Sequence, residues 1–423
     1  MLLSFVLIIF YLTLPAFIIY LTQVSKIINK IGAVVMAYAI GLLIGNIGIF
    51  PRPSKAMFKL LSGKASLPKE ELIDHFNAGL ITESDLLANQ IASTQDILMT
   101  IVIPLAIPLL LFSLDIKRWL KLAKGALFSL FLAMVSLIIV IFAGYFLFKN
   151  HIAESWKITG MLVGIYSGGT PNLAAISTAL DVNPNTFILT HTYDMVLGAI
   201  TLIFLLTTAQ RIFNWFLPKF HESHSDMDLN GIADESKEMD NYKGMLTKTG
   251  IINLLKALGL SALIFAISGG LSLLVPTSAQ MVTVILSITT LGLVFSTVKS
   301  INKIEKSFPL GMYLIIVFSL VVASMGDLSS MFQIDFLHLF LFVVLAIFGS
   351  MVIHLFLSWI FRIDSDTTII TITALTYSPP FVPVVASALK NKEVIISGLT
   401  VGILGYAFGN YIGVAIAYFL KGF

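Results

Sequence analysis

The chain has 423 residues, 57% of them hydrophobic and only 12% charged, with a formal charge of +3 and a mean hydropathy of +0.95. Soluble domains run near 45–50% apolar and about 25% charged, and this excess would leave large apolar patches on any soluble core. The composition is that of a polytopic membrane protein and excludes a nucleic-acid partner, because the few basic residues sit in short loops. With no cysteine, disulfides, thiolate catalysis, iron–sulfur clusters and cysteine-ligated zinc are excluded too. The sequence holds no G-x-x-x-x-G-K-[ST], H-E-x-x-H or G-x-S-x-G motif, so neither an ATP-driven pump nor a hydrolytic enzyme is expected.

A bilayer crossing takes about 20 apolar residues. Twelve stretches qualify: 2–22, 31–50, 95–114, 123–148, 156–180, 185–210, 251–275, 281–298, 308–326, 335–360, 367–389 and 394–420. The first lacks a basic leader and a small-residue cleavage site, and reads as a mature helix. Residues 51–94 open with Arg52, Lys55, Lys59, Lys64 and Lys69 and carry an amphipathic run, KEELIDHF, suited to the membrane interface. Residues 219–249 hold seven of the 23 carboxylates and few large apolar residues, the composition of a flexible cytoplasmic linker. It divides the chain into halves, 1–218 and 250–423, of six segments each. If all twelve segments cross, the side carrying both termini holds 18 Lys and Arg residues and the other 8, which predicts cytoplasmic termini. The basic run DIKRWLKLAK at 115–124 falls on the wrong side of that arrangement.

The halves resemble each other. GGTPNLAAISTAL (168–180) aligns without gaps to YSPPFVPVVASAL (377–389), with Pro171 opposite Pro380, and FSLDI (112–116) precedes the first about as ASMGDL (323–328) precedes the second. Each half therefore carries an apolar helix broken by Gly or Pro, at Gly168, Gly169 and Pro171 and at Pro379, Pro380 and Pro383. Such breaks free backbone groups that lipid cannot satisfy, and paired breaks in two repeats point to a transporter site at the midplane. A pair of kinked helices without a ligand is the alternative. Inverted repeats need an even number of crossings between the breaks, and the twelve segments give five. Either a segment is re-entrant or split, or the repeats run parallel.

Asp194 lies about nine residues into its segment, roughly 13 Å deep, and an intramembrane carboxylate is a functional candidate by default. His191 precedes it by one turn, with Thr190 and Thr192 nearby. The group Asp194, His191 and Thr192 could hold sodium through oxygens or pass a proton; a structural Asp bonded to a neighbouring hydroxyl is the alternative. Ser167, Thr170 and Asn172 supply oxygen and amide groups at the first break, and Thr376, Tyr377 and Ser378 at the second, a set that suits a hard monovalent ion. Each could equally bond its own helix. In the last segment Gly398, Gly402, Gly405, Gly409 and Gly413 form a stripe that close helix packing explains, with Asn410 and Tyr406 as further site candidates. His354 reads as a packing residue, and HESH (221–224) as solvated linker rather than a metal site.

At these motifs, IYSGGTPNLAAISTAL followed by an Asp-bearing helix and VGILGYAFGNYIG near the C-terminus, the sequence resembles the YjcL-like integral-membrane family, domain of unknown function 819. The resemblance spans essentially the whole chain. It implies kinship with the cation/proton antiporter and anion transporter superfamily, neighbour to the bile acid:sodium and glutamate:sodium symporters. From that follow a core domain with two broken helices, a scaffold domain and a homodimer. Where the family has a Gly-rich second break, this chain reads SPPFVP, and two prolines remove backbone donors there. The expectation is an all-α polytopic membrane protein of about 12 helices in two repeat halves. It would act as a secondary transporter of a small solute coupled to sodium or protons, in the plasma (bacterial inner) membrane, with no cofactor beyond a bound sodium ion. A cation/proton antiporter without organic substrate and a non-transporting sensor or assembly protein are the rivals.

Overall fold

The computed structural model describes residues 2–25, 28, 32–61, 66–113, 124–220, 241–326, 337–377, 379–391 and 393–423, and among them there are helices and no strands. Residues 115–123, the carboxylate-rich 221–240, Ser378, and parts of the FSLDI and ASMGDL motifs lie outside them. Among the described residues, eight helices are long and apolar enough to cross a membrane: α1 (Leu2–Val24), α3 (Glu83–Phe112), α4 (Lys124–Phe148), α7 (Pro184–Thr207), α8 (Lys248–Ser272), α10 (Ser307–Ser324), α11 (Leu337–Ile360) and α14 (Val394–Lys421). Two shorter apolar helices, α2 (Ala33–Asn46) and α9 (Gln280–Ser296), complete ten. The remaining two segments are split into α5 (Ser155–Gly168) with α6 (Thr170–Ala179), and α12 (Ser365–Tyr377) with α13 (Val382–Ala388).

The split segments do not cross; each turns back. At the first, Gly169 takes φ 73°, a left-handed conformation that only glycine adopts at no steric cost. Pro171 follows in the first turn of α6, where a missing N–H costs nothing. A straight helix would put residues 160 and 180 about 30 Å apart, yet a methyl on Gly160 would lie 3.1 Å from Leu180 Cδ1, and one on Gly164 would lie 3.2 Å from the Asn172 carbonyl. At the second, Asn391 Nδ2 donates to Asp366 Oδ2 at 3.0 Å although 25 residues separate them, and Gln210 Nε2 donates both to Asp366 Oδ1 at 2.8 Å and to the Leu389 carbonyl at 3.4 Å. The segments 156–180 and 367–389 are thus re-entrant hairpins, 1 and 2, and among the described residues the crossing candidates number ten rather than twelve.

The chain forms two compact units, one comprising Met1–Pro104, Asp181–His191 and Tyr313–Ile334, the other Leu105–Leu180, Thr192–Met312 and Asp335–Phe423. Each unit draws on both sequence halves. In the first, Tyr11, Gln95 and Ser324 form a buried triad: Gln95 Nε2 donates to Tyr11 Oη at 2.7 Å and to Ser324 Oγ at 2.9 Å, and the two hydroxyls pair at 2.7 Å. Gly41 of α2 packs on the Ala323–Ser324 turn of α10, small residues allowing the close approach. Asn46 at the end of α2 donates to the Gly326 carbonyl at 2.8 Å, and Gly326 abuts Ile188 near the start of α7. Those three helix ends therefore share one membrane face, face A, which requires hairpin 1 to leave by the face it enters. On the same face, a small apolar cluster of Met57, Leu61, Leu67, Leu72 and Ile81 anchors the KEELIDHF helix, Lys69–Asn77, through Leu72. Asn89 closes that cluster by pairing with both the N–H and the C=O of Leu67 (2.7 and 3.1 Å).

In the second unit the opposite face, B, gathers the ends of α7, α12 and α13. The Ser365 N–H donates to the Pro218 carbonyl at 3.0 Å and Ser365 Oγ to Asn214 Oδ1 at 2.7 Å. Asp364 Oδ1 accepts from the Thr367 N–H at 2.7 Å, capping α12. At face A, Lys149 Nζ reaches the Phe423 carbonyl at 3.1 Å and the rings of His151 and His338 stack at 4.3 Å. Hairpin 1 thus has its base at face A and hairpin 2 at face B.

Candidate functional site

Helix α14 measures the depth of both hairpins. Near its start Gly398 touches Ile370 and Val382, on opposite legs of hairpin 2, and Gly402 touches Pro379 at that hairpin's turn. Farther on, Gly405 meets the Ser167 carbonyl, Gly409 meets Ser167 and Asn172, and Gly413 meets Gly160 and Ile176. The two turns therefore approach from opposite ends and meet along Gly402–Gly409, about 12–22 Å into a helix of about 42 Å. The glycine stripe provides this closeness, since only hydrogen faces the hairpin backbones. Asn172 Nδ2 donates to the Gly405 carbonyl at 2.9 Å, locking turn 1 to α14.

Asp194 projects from α7 between the two turns. Its charge bears on Tyr166, just before Ser167 in hairpin 1, and on Tyr377, the last residue of α12 before turn 2. Tyr377 Oη donates to the Gly198 carbonyl at 2.6 Å, one turn beyond Asp194 on the same face of α7. Tyr166 is buried, and its Oη has no hydrogen-bond partner within 3.5 Å among the described residues. Among them, no basic side chain acts on Asp194. A carboxylate with no countercharge among the described residues, beside a buried phenol and two helix-breaking turns, is costly in a bilayer unless a cation or a proton completes it.

The other candidates distribute as follows. Ser167 is buried and donates to its own helix at the Gly164 carbonyl, 3.1 Å, while Thr170 and Thr376 are half-buried. Gly168 and Gly169 form turn 1 itself, and Ser378 lies outside the described residues. His191 belongs to the first unit, buried with its ring edge-on to Tyr38 at 4.9 Å and beside Phe187 at 5.6 Å; its Nδ1 has no partner among the described residues. Thr192 and Asp194 belong to the second unit. Asn410 is turned toward α9, where its Nδ2 donates to Thr289 Oγ1 at 3.4 Å, and Tyr406 packs on Phe308. His354 Nε2 lies 3.4 Å from Ser129 Oγ, which pairs with Thr371 Oγ1 at 2.9 Å, deep in the packing of the second unit. Tyr166 and Gly198 escaped the sequence reading. The clue was spacing: Tyr166 adjoins the first break, and Gly198 follows Asp194 by four residues.

The chain is 26% identical over 327 residues to the "Uncharacterized membrane protein YjcL" of Bacillus subtilis (strain 168), a match that covers 75% of this chain and 81% of the relative. Residues 72–423 match the family described as "Protein of unknown function (DUF819)". That span takes in both hairpins, the Asp194 helix and α14, and the chain is a member of this family of membrane proteins.

Proposed function

We propose that the chain is a secondary active transporter of a small solute, driven by sodium or protons and seated in the plasma membrane, with its site where the hairpin turns meet. The observation that carries this reading is Asp194, a carboxylate without a basic partner among the described residues, set between Tyr166 and Tyr377 at the two turns. Helix breaks at mid-depth expose backbone dipoles to a ligand, and an isolated carboxylate supplies the one full charge a coupling cation needs. Inverted repeats fit the same reading, since five crossings lie between the hairpins and bring them in from opposite faces. The arrangement favours transport over intramembrane catalysis, because Asp194 has no second carboxylate to share acid and base roles.

A ligand that binds only the folded state raises its apparent stability, so the test is thermal unfolding of purified protein in sodium or potassium at several pH values. Sodium-specific stabilisation that disappears in Asp194→Asn supports sodium coupling. A pH dependence that disappears in the same variant supports proton coupling. Asp194→Asn melting with unchanged ion and pH dependence removes Asp194 from the site.

A further inference from the structure

The hairpins change which loops share a membrane face, and with them the orientation of the whole chain. The expectation of cytoplasmic termini assumed twelve crossings. With ten, face A carries both termini, residues 47–82 and the base of hairpin 1, while face B carries the turns after α1, α3, α7, α9 and α11 and the base of hairpin 2. The contacts within each unit require this: Asn46 with Gly326, Lys149 with Phe423, and His151 with His338 on face A; Asp366 with Asn391 and Gln210, and Asn302 Nδ2 with the Phe112 carbonyl, on face B. Recounted by position in the sequence, 18 of the 26 Lys and Arg residues fall in the connections assigned to face B and 8 in those assigned to face A, and among the described residues the division is 11 to 7.

Short loops rich in Lys and Arg stay in the cytoplasm. We propose that face B is cytoplasmic and that both termini lie on the outer side, so that hairpin 1 enters from outside and hairpin 2 from the cytoplasm. The basic run at 115–124, which contradicted the twelve-crossing arrangement, now sits among the cytoplasmic loops. The same sidedness makes the polar cavity of about 510 Å³ at the base of hairpin 2, lined by Gln210, Asn214, Asp366, Lys390 and Asn391, a cytoplasmic vestibule. Of the outer residues, five of the eight basic ones fall in the single stretch 52–69.

The natural chain has no cysteine, so single cysteines report sidedness directly, without a known solute. Asn77→Cys, Asp181→Cys and Phe423→Cys place thiols at exposed positions on face A, and Lys243→Cys, Lys303→Cys and Lys390→Cys on face B. Exposed Glu71 and Lys299 serve as substitutes if a variant fails to accumulate. With a membrane-impermeant maleimide on intact cells, the first three are expected to label fully and the last three only after permeabilisation. The reverse pattern overturns the orientation. Asp181→Cys labelling with the face B set, or Lys390→Cys with the face A set, overturns the re-entrant hairpin concerned.

Discussion

At Gly405 the hairpin backbone and α14 come so close that a single methyl would collide with the Ser167 carbonyl oxygen. Packing of this kind replaces the hydrophobic drive that lipid removes from helix association. Gly405→Ala is therefore expected to destabilise the fold by about 1–3 kcal/mol, the usual cost of overpacking. Gly259 on α8 is the control: a methyl there meets nothing within 4 Å, so alanine should leave stability unchanged or raise it, by up to about 1 kcal/mol through helix propensity. Thermal melts of the two variants side by side decide it, and equal losses would mean that the stripe is not a packing device. Tyr166 shows the other kind of close approach, since its buried hydroxyl faces the Asp194 carboxylate. Tyr166→Phe should keep the fold, because the ring and its packing stay, while weakening any ion-dependent stabilisation that Asp194 confers through the phenol beside it. A melt that retains the full ion response would show that the phenol takes no part.

Among the elements, the hairpins mark where sequence reading stopped. Gly168-Gly169-Thr170-Pro171 and the Pro-rich second break identify both turns, because glycine and proline carry their backbone meaning in any context. What composition does not register is direction: two apolar legs joined by a turn have the hydropathy and the length, 25 and 23 residues, of one crossing helix. The odd crossing number was the symptom, and contacts between residues 20 or more apart supply the cause. Hairpin 2 is closed at its base by Asp366, whose carboxylate is buried and held by Gln210 and Asn391. Hydrogen bonds to a charged group contribute about 1.5–3 kcal/mol each. Asp366→Ala should therefore loosen the two legs and expose the loop after α13, read as faster tryptic cleavage at Lys390 in detergent. Unchanged cleavage would mean that α14 alone holds the hairpin.

For the molecule as a whole, its two compact units do not follow the two sequence halves, since each unit collects helices from both. Chain order shows the likeness of 168–180 to 377–389, whereas the units form from which apolar faces find each other, and that depends on contacts hundreds of residues apart such as Tyr11 with Ser324. The carboxylate-rich stretch between the halves offers a test of what the molecule is for. A transporter of the proposed kind needs its two hairpins and Asp194, and residues 226–240 lie outside all three in the sequence; closing a shorter loop changes the entropy of connection by well under about 1 kcal/mol. Deleting 226–240 should thus leave both thermal stability and ion-dependent stabilisation intact, as should solute uptake once a substrate is found. A signalling or assembly protein would depend on its longest polar segment for contact with partners. Loss of ion-dependent stabilisation in the deletion, with the fold preserved, would favour that rival, because it would make the polar segment part of what the membrane site controls.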